Sequence, residues 1–198
     1  MRTTRSLPDA TREAIRPAKL AHVVLRTSDL QRSRAWYLTV LQARPSFENE
    51  SVCFLSYDEE HHRIGLIAQP ALAVRGESQA GMDHMAFTYA SLGELLATHR
   101  RLKAEGITPY WTINHGPTIS LYYKDPDGNR LELQHDVFET ADEVQAFFSG
   151  GAYRENFIGV KFDPEDLTAR YEAGEAMERI TSRPLLQPGT DPWEMVVF

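Results

Sequence analysis

The chain is written twice, and this constrains its fold more than any other feature of the sequence. Residues 19–26 (Lys-Leu-Ala-His-Val-Val-Leu-Arg) read as a strand carrying His22, and residues 82–89 as a second strand carrying His84 at the matching place. After each strand comes a helix. Leu30 to Gln42 has helical periodicity behind the candidate cap Ser28-Asp29, and Ser91 with Glu94 opens a helix that runs to about Glu105 before Gly106. Short strand-like stretches follow each helix, at about 43–49, 51–57 and 63–69 in the first copy and 108–113, 118–124 and 129–135 in the second. The copies end alike, with His62-Arg63-Ile64-Gly65-Leu66 against Asn129-Arg130-Leu131-Glu132-Leu133.

Two βαβββ units predict an α+β domain over 18–136, with units at about 18–70 and 81–136 whose sheets curl around a shared cavity. Segment 70–80 reads as the linker and 1–17 as a polar lead-in. Residues 137–198 form a C-terminal extension packing on the core or on a partner subunit. Within it, 141–148 reads as a helix broken by Gly150-Gly151, 157–162 as a strand, and Asp163 to about Gly174 as a helix.

Composition excludes several function classes. A net charge of −7 gives no concentrated basic surface for nucleic acid or anionic membranes. No run approaches a membrane span. The single cysteine, Cys53, fits a cytoplasmic location and a small core residue. Trp36 and Tyr37 read as core, and the acidic runs Asp58-Glu59-Glu60 and Asp163 to Asp166 as solvated turn and helix-start residues. There is no Gly-rich phosphate loop and no zinc cysteine cluster.

The chemistry concentrates in His22, His84 and Glu132. Histidines at equivalent places of a duplicated unit approach each other if the units pair about a pseudo-two-fold axis, and Glu132 on an apolar strand completes a face. Two imidazoles and one carboxylate leave coordination positions open, as non-haem Fe(II) oxygenases require, and an unpaired buried carboxylate is costly. Either histidine alone could be an ordinary hydrogen-bonded strand residue. Where the second unit has Glu132 the first has Gly65, which leaves three ligands and an open sphere.

The stretch from Ile113 through His115, Tyr122 and Asp125-Pro126-Asp127-Gly128-Asn129 to Glu132 resembles the signature of type I extradiol ring-cleavage dioxygenases, the branch typified by 2,3-dihydroxybiphenyl dioxygenases. These belong to the vicinal oxygen chelate, or glyoxalase–bleomycin resistance, superfamily. The resemblance covers about 18–136. It implies metal ligation by His22, His84 and Glu132, with Tyr122 on a substrate oxygen and His115 near the substrate. It also implies an acid-base role for His62, with His61 as competitor. The implied cofactor is Fe(II), with Mn(II) possible, and the implied partners are a catechol and O₂. A homodimer or higher homo-oligomer is expected, and the nature of the catechol stays open. The rival functions are a divalent-metal glyoxalase-like lyase or epimerase, expected to need a fourth ligand, and a metal-free binding protein for drugs or aromatics.

Overall fold

Each unit is built on a parallel pair of strands. In a computed structural model that describes residues 14–73 and 80–197, β1 (Val23–Thr27) runs parallel to β4 (Ile64–Ala68), and β3 (Val52–Ser56) and β2 (Arg44–Glu48) continue the sheet antiparallel, in the order β1-β4-β3-β2. The second unit repeats this with β5 (His84–Thr88), β8 (Arg130–Asp136), β7 (Thr118–Lys124) and β6 (Trp111–Asn114). A fifth strand from the extension, β9 (Val160–Lys161), pairs antiparallel with β6. Residues 1–13 of the expected lead-in and 74–79 of the expected linker lie outside the described residues.

The helices sit where their caps place them. The Asp29 carboxylate accepts from the Arg32 amide at the start of α1 (Leu30–Leu41). Ser91 does the same for the Glu94 amide at the start of α2 (Leu92–Ala104), while the Glu94 carboxylate reaches back to the Ala90 amide. Each helix turns an apolar face inward. Tyr37 and Val40 of α1 and Leu95 and Leu102 of α2 are fully buried, and Trp36 packs at the edge of both halves of the core. Cys53 is buried in the first unit, as its apolar surroundings predict.

The Asp125–Asn129 turn joins the two units. Asp127 accepts from the Ser28 amide and hydroxyl at 3.1 and 2.7 Å and from the Ser33 hydroxyl at 2.9 Å. Asp125 accepts from the Tyr37 hydroxyl at 2.9 Å, and from the Asp127 and Asn129 amides within its own turn. Gly128, at φ 83°, supplies the left-handed backbone that closes this turn. Its sequence is therefore a clamp between the halves.

The extension packs on the second unit. It contributes α3 (Ala141–Ser149), α4 (Gly151–Glu155), α5 (Pro164–Glu172), α6 (Met177–Thr181) and a 3₁₀ turn at Pro192–Met195. Leu167 and Ile180 enter the core beside α2, while Glu165 pairs with Lys103 and His99. The strand expected at 157–162 shrinks to Val160–Lys161 because Asn156 folds residues 156–159 into a turn, its side-chain oxygen accepting from the Ile158 and Gly159 amides. The strand expected from 108 begins at Trp111, after Pro109, which has no amide to donate. Glu60 is not the solvated turn residue expected of its acidic run: its side chain is 10% exposed and ion-paired with Lys19.

Candidate metal centre

His84 opens β5, and its neighbour Asp83 orients it. The Asp83 carboxylate lies 2.8 Å from Nδ1, which leaves Nε2 aimed at Glu132, 3.0 Å from Oε2. Arg130 donates to the other Asp83 oxygen at 3.0 Å. Glu132 is 5% exposed in mid-β8. Burial alone would raise its carboxyl, but hydrogen bonds from His84, Ser120 and Tyr122 hold it below the usual range. The same contact with Glu132 outweighs the cost of burying His84 and pushes its imidazole up to about 9.

The donor set fits a divalent metal. Two ligand atoms each about 2.1 Å from one ion at a right angle stand about 3.0 Å apart, the separation between His84 Nε2 and Glu132 Oε2. Here the pair is a hydrogen-bonded ion pair, with a proton where a metal would sit.

The sheet register aligns the two histidines. Val24 pairs with Gly65 and Ala86 with Glu132, so His22 and His84 each stand two residues before the strand position that faces Gly65 or Glu132. His22 lies just ahead of β1 instead of inside the expected strand. The carbonyls of Leu20 and Ala21 are taken by the Arg63 guanidinium, not by a sheet partner, and pairing begins at Val23. His22 and His84 both line a cavity of about 440 Å³ at the seam between β1 and β5, together with Leu20, Tyr57, Met82 and Phe87.

The His22 ring does not complete a three-ligand cluster with His84 and Glu132. It stacks on His62, ring centres 4.1 Å apart. Among the described residues, the set of three or more His, Cys, Asp or Glu side chains with ligand atoms mutually within 4.8 Å is His22, His61 and His62. His61 and His62 bring their Nδ1 atoms to 2.5 Å. His62 sits in the bend before β4, and its ring lies flat on Phe54 at 4.6 Å. Burial, then the nearby His22 and His61, lower its pKa.

Tyr122 and His115 stand on the other side of Glu132. Tyr122 pairs with Glu132 across β7 and β8, and the His84 ring meets it edge-on at 5.2 Å. Burial, and then the charge of Glu132, push its phenol far above the ordinary value. His115 Nε2 is 3.0 Å from the Tyr122 hydroxyl, and burial lowers the pKa of this imidazole. Tyr123 turns to the opposite face and is core.

Several contributors were not anticipated. Asp83 could have been found from the Asp-His pair, a common second partner of a metal-bound imidazole. Ser120 and Trp111 carry no sequence signal. Trp111 stacks on Tyr122 at 4.5 Å, and its buried indole N–H has no acceptor among the described residues.

Comparisons with known proteins identify the family. The profile of the Glyoxalase/Bleomycin resistance protein/Dioxygenase superfamily matches residues 19–133. The chain is 48% identical over 165 residues to biphenyl-2,3-diol 1,2-dioxygenase 2 of Rhodococcus globerulus, covering 83% of this chain and 87% of that protein. It is 42% identical over 167 residues to biphenyl-2,3-diol 1,2-dioxygenase 3 of the same organism, covering 83% and 88%. Among solved structures, a glyoxylase/bleomycin resistance protein/dioxygenase domain from a Frankia species superposes with a TM-score of 0.52 at 22% identity, covering 61% of this chain and 99% of that one.

Proposed function

The chain belongs to the Glyoxalase/Bleomycin resistance protein/Dioxygenase superfamily, and from that premise we propose that it opens the ring of a catechol beside the diol, adding both atoms of O₂, at a metal held by His22, His84 and Glu132. It is an extradiol dioxygenase, as its relatives named biphenyl-2,3-diol 1,2-dioxygenase indicate. The enzyme uses a catalytic metal, and we take that metal to be Fe(II), with Mn(II) able to use the same ligands. The observation carrying the assignment is the 3.0 Å approach of His84 Nε2 to Glu132 Oε2, beside Tyr122 and His115.

When bound, the metal supplies the acidity that ionises the diol and the redox centre that joins it to O₂. The protein's own groups do the rest. Tyr122, kept a neutral phenol by burial and by Glu132, holds one substrate oxygen. His62, kept neutral near pH 7, accepts a substrate proton and returns it later. His115 holds the Tyr122 hydroxyl in place. Phe54 fixes the His62 ring by stacking. His22 contributes its imidazole by turning away from His62, and Gly65 adds no ligand at the matching place in the first sheet.

Among the described residues no helix is long and apolar enough to cross a membrane. A cytoplasmic location and assembly as a homodimer or larger homo-oligomer complete the proposal, the latter tested by light scattering on the purified chain. The deciding experiment loads the protein with Fe(II) without air, adds catechols including biphenyl-2,3-diol, and follows oxygen uptake and yellow ring-fission product. Activity is expected in the wild type and lost in His84→Ala; a variant that still turns over would overturn the metal assignment.

A further inference from the structure

We propose that the C-terminal extension sets the ring tautomer of His115, with Asn156 and Arg183 as its positioning residues. The inference rests on the reading of His115 and Tyr122 as parts of the active site.

The two ring nitrogens of His115 meet different partners. Nδ1 faces the backbone carbonyl of Ile158, and Nε2 faces the Tyr122 hydroxyl. A carbonyl can only accept, so Nδ1 must carry the proton. Burial favours the neutral ring, and a neutral ring protonated at Nδ1 leaves Nε2 as an acceptor. The single phenol proton of Tyr122 has two acceptors in reach, Glu132 and Nε2; with Glu132 holding a metal, that proton would go to Nε2 and leave the phenol's lone pairs for a substrate oxygen. A ring protonated at Nε2 instead would donate to the phenol and leave Nδ1 opposed, lone pair to lone pair, to the Ile158 carbonyl.

The Ile158 carbonyl is held in place by Asn156, Gly159 and Arg183. The Asn156 side chain is 5% exposed and spans the turn, accepting from the Ile158 and Gly159 amides at 3.1 and 2.8 Å and donating to the Gly159 carbonyl at 2.8 Å. Gly159 has φ 132°, and an added Cβ would meet the Asn114 carbonyl oxygen at 2.4 Å, so only glycine allows the chain to pass this close to β6. Arg183 donates to the Asn156 carbonyl at 2.7 Å, to the carbonyl of His115 itself at 3.1 Å, and to Ala152 at 3.0 Å. One guanidinium thus ties the turn to the residue it faces. On the other flank, the Asn114 side chain donates to the Thr181 carbonyl at 2.9 Å and accepts from the Gly116 amide at 2.8 Å.

The test uses the full-length chain labelled with ¹⁵N-histidine, the His115 signals being assigned with His115→Gln. Long-range proton–nitrogen spectra of the wild type should show Nδ1 protonated and Nε2 as the bare nitrogen. Asn156→Ala and Arg183→Ala should mix the tautomers and lower kcat of the iron-loaded enzyme by up to about 100-fold, with little change in KM or bound iron. A wild-type ring protonated at Nε2 overturns the proposal. So do folded alanine variants whose His115 signals and kcat are unchanged. If Asn156→Ala fails to fold, the wild-type spectrum and Arg183→Ala still decide. A wild type with the Nδ1–H tautomer but no action on any catechol would remove the proposed function and leave this inference standing.

Discussion

Gly65 and Glu132 occupy the same register position in the two halves of the fold, Gly65 opposite Val24 and Glu132 opposite Ala86. A metal held between the halves, as proposed, would meet a carboxylate from one and bare backbone from the other. A Cβ at Gly65 would stand 3.2 Å from Val24 Cγ2 and 3.6 Å from the Phe54 ring, so the position is nearly filled even without a side chain. Gly65→Ala is expected to cost about 1 kcal/mol through this crowding, read from thermal unfolding. Gly65→Asp adds a carboxylate at the place matching Glu132; metal should be retained while oxygen uptake with catechol falls by about 100-fold or more, because an oxygenase needs open positions. Wild-type turnover in Gly65→Asp would show that the open position plays no part.

Removing Glu132 tests the other side of the same pair. Glu132→Ala takes away the partner that holds the His84 Nε2 and one of the proposed ligands. Metal affinity should drop by more than the 10- to 100-fold typical of losing an outer partner such as Asp83. Metal analysis after dialysis, on Glu132→Ala beside Asp83→Asn, ranks the two. Equal losses would argue against direct ligation by Glu132.

Metal uptake should release a proton. Without metal, Glu132 raises the His84 pKa from 6.5 to about 9, so the ring is protonated at neutral pH and must lose its proton to bind. Affinity is therefore expected to climb as pH rises toward 9. The metal-free fold should follow the opposite trend: with the folded pKa above the unfolded value, the His84 contribution to stability is complete below about 6.5 and fades as pH rises through about 9. Calorimetry of metal binding in buffers of different ionisation enthalpy counts the proton; a value of zero at pH 7 would contradict the pairing.

The two adjacent histidines should behave differently. His62 is pinned between the His22 and Phe54 rings, whereas His61 is exposed. His62→Ala is expected to lower kcat by about 10²- to 10⁴-fold with metal content kept, and His61→Ala to change it little. The reverse order would move the acid-base role to His61.

Tyr37 and Asp125 offer a test of the clamp between the units. Both are buried, and Tyr37→Phe removes one of the two side-chain donors to Asp125 Oδ2, leaving Asn129 Nδ2 at 2.8 Å. The expected cost is about 1–3 kcal/mol, visible in denaturant unfolding, with metal binding unaffected.

What could be foreseen from the sequence followed what side-chain pattern records. The repeat, the strand–helix–strand order and the pairing of His84 with Glu132 all rest on periodicity and on residue identity at matched places, and the sheet register bears out the equivalence of Gly65 and Glu132. The stacking of His22 on His62 was not foreseeable, because the direction of a ring is a rotamer, which sequence does not encode locally. Nor was the partner of His115 Nδ1, since a backbone carbonyl is the same whichever residue bears it. Asn156 and Arg183 act at a distance of dozens of residues, through contacts that no spacing rule captures.

The parallel pairing of β5 with β8 also dictates an order of assembly. His84 begins the strand that opens the second unit, but its partner strand is the last of that unit to be made, and the crossover between them must be complete before the two can lie side by side. The nucleus of this half must therefore form from more local contacts, such as the β6–β7 and β7–β8 hairpins, and closure of the ligand-bearing edge comes late. A metal ion would therefore meet the His84–Glu132 edge only after this unit has folded, and metal-starved protein should be folded but empty instead of aggregated.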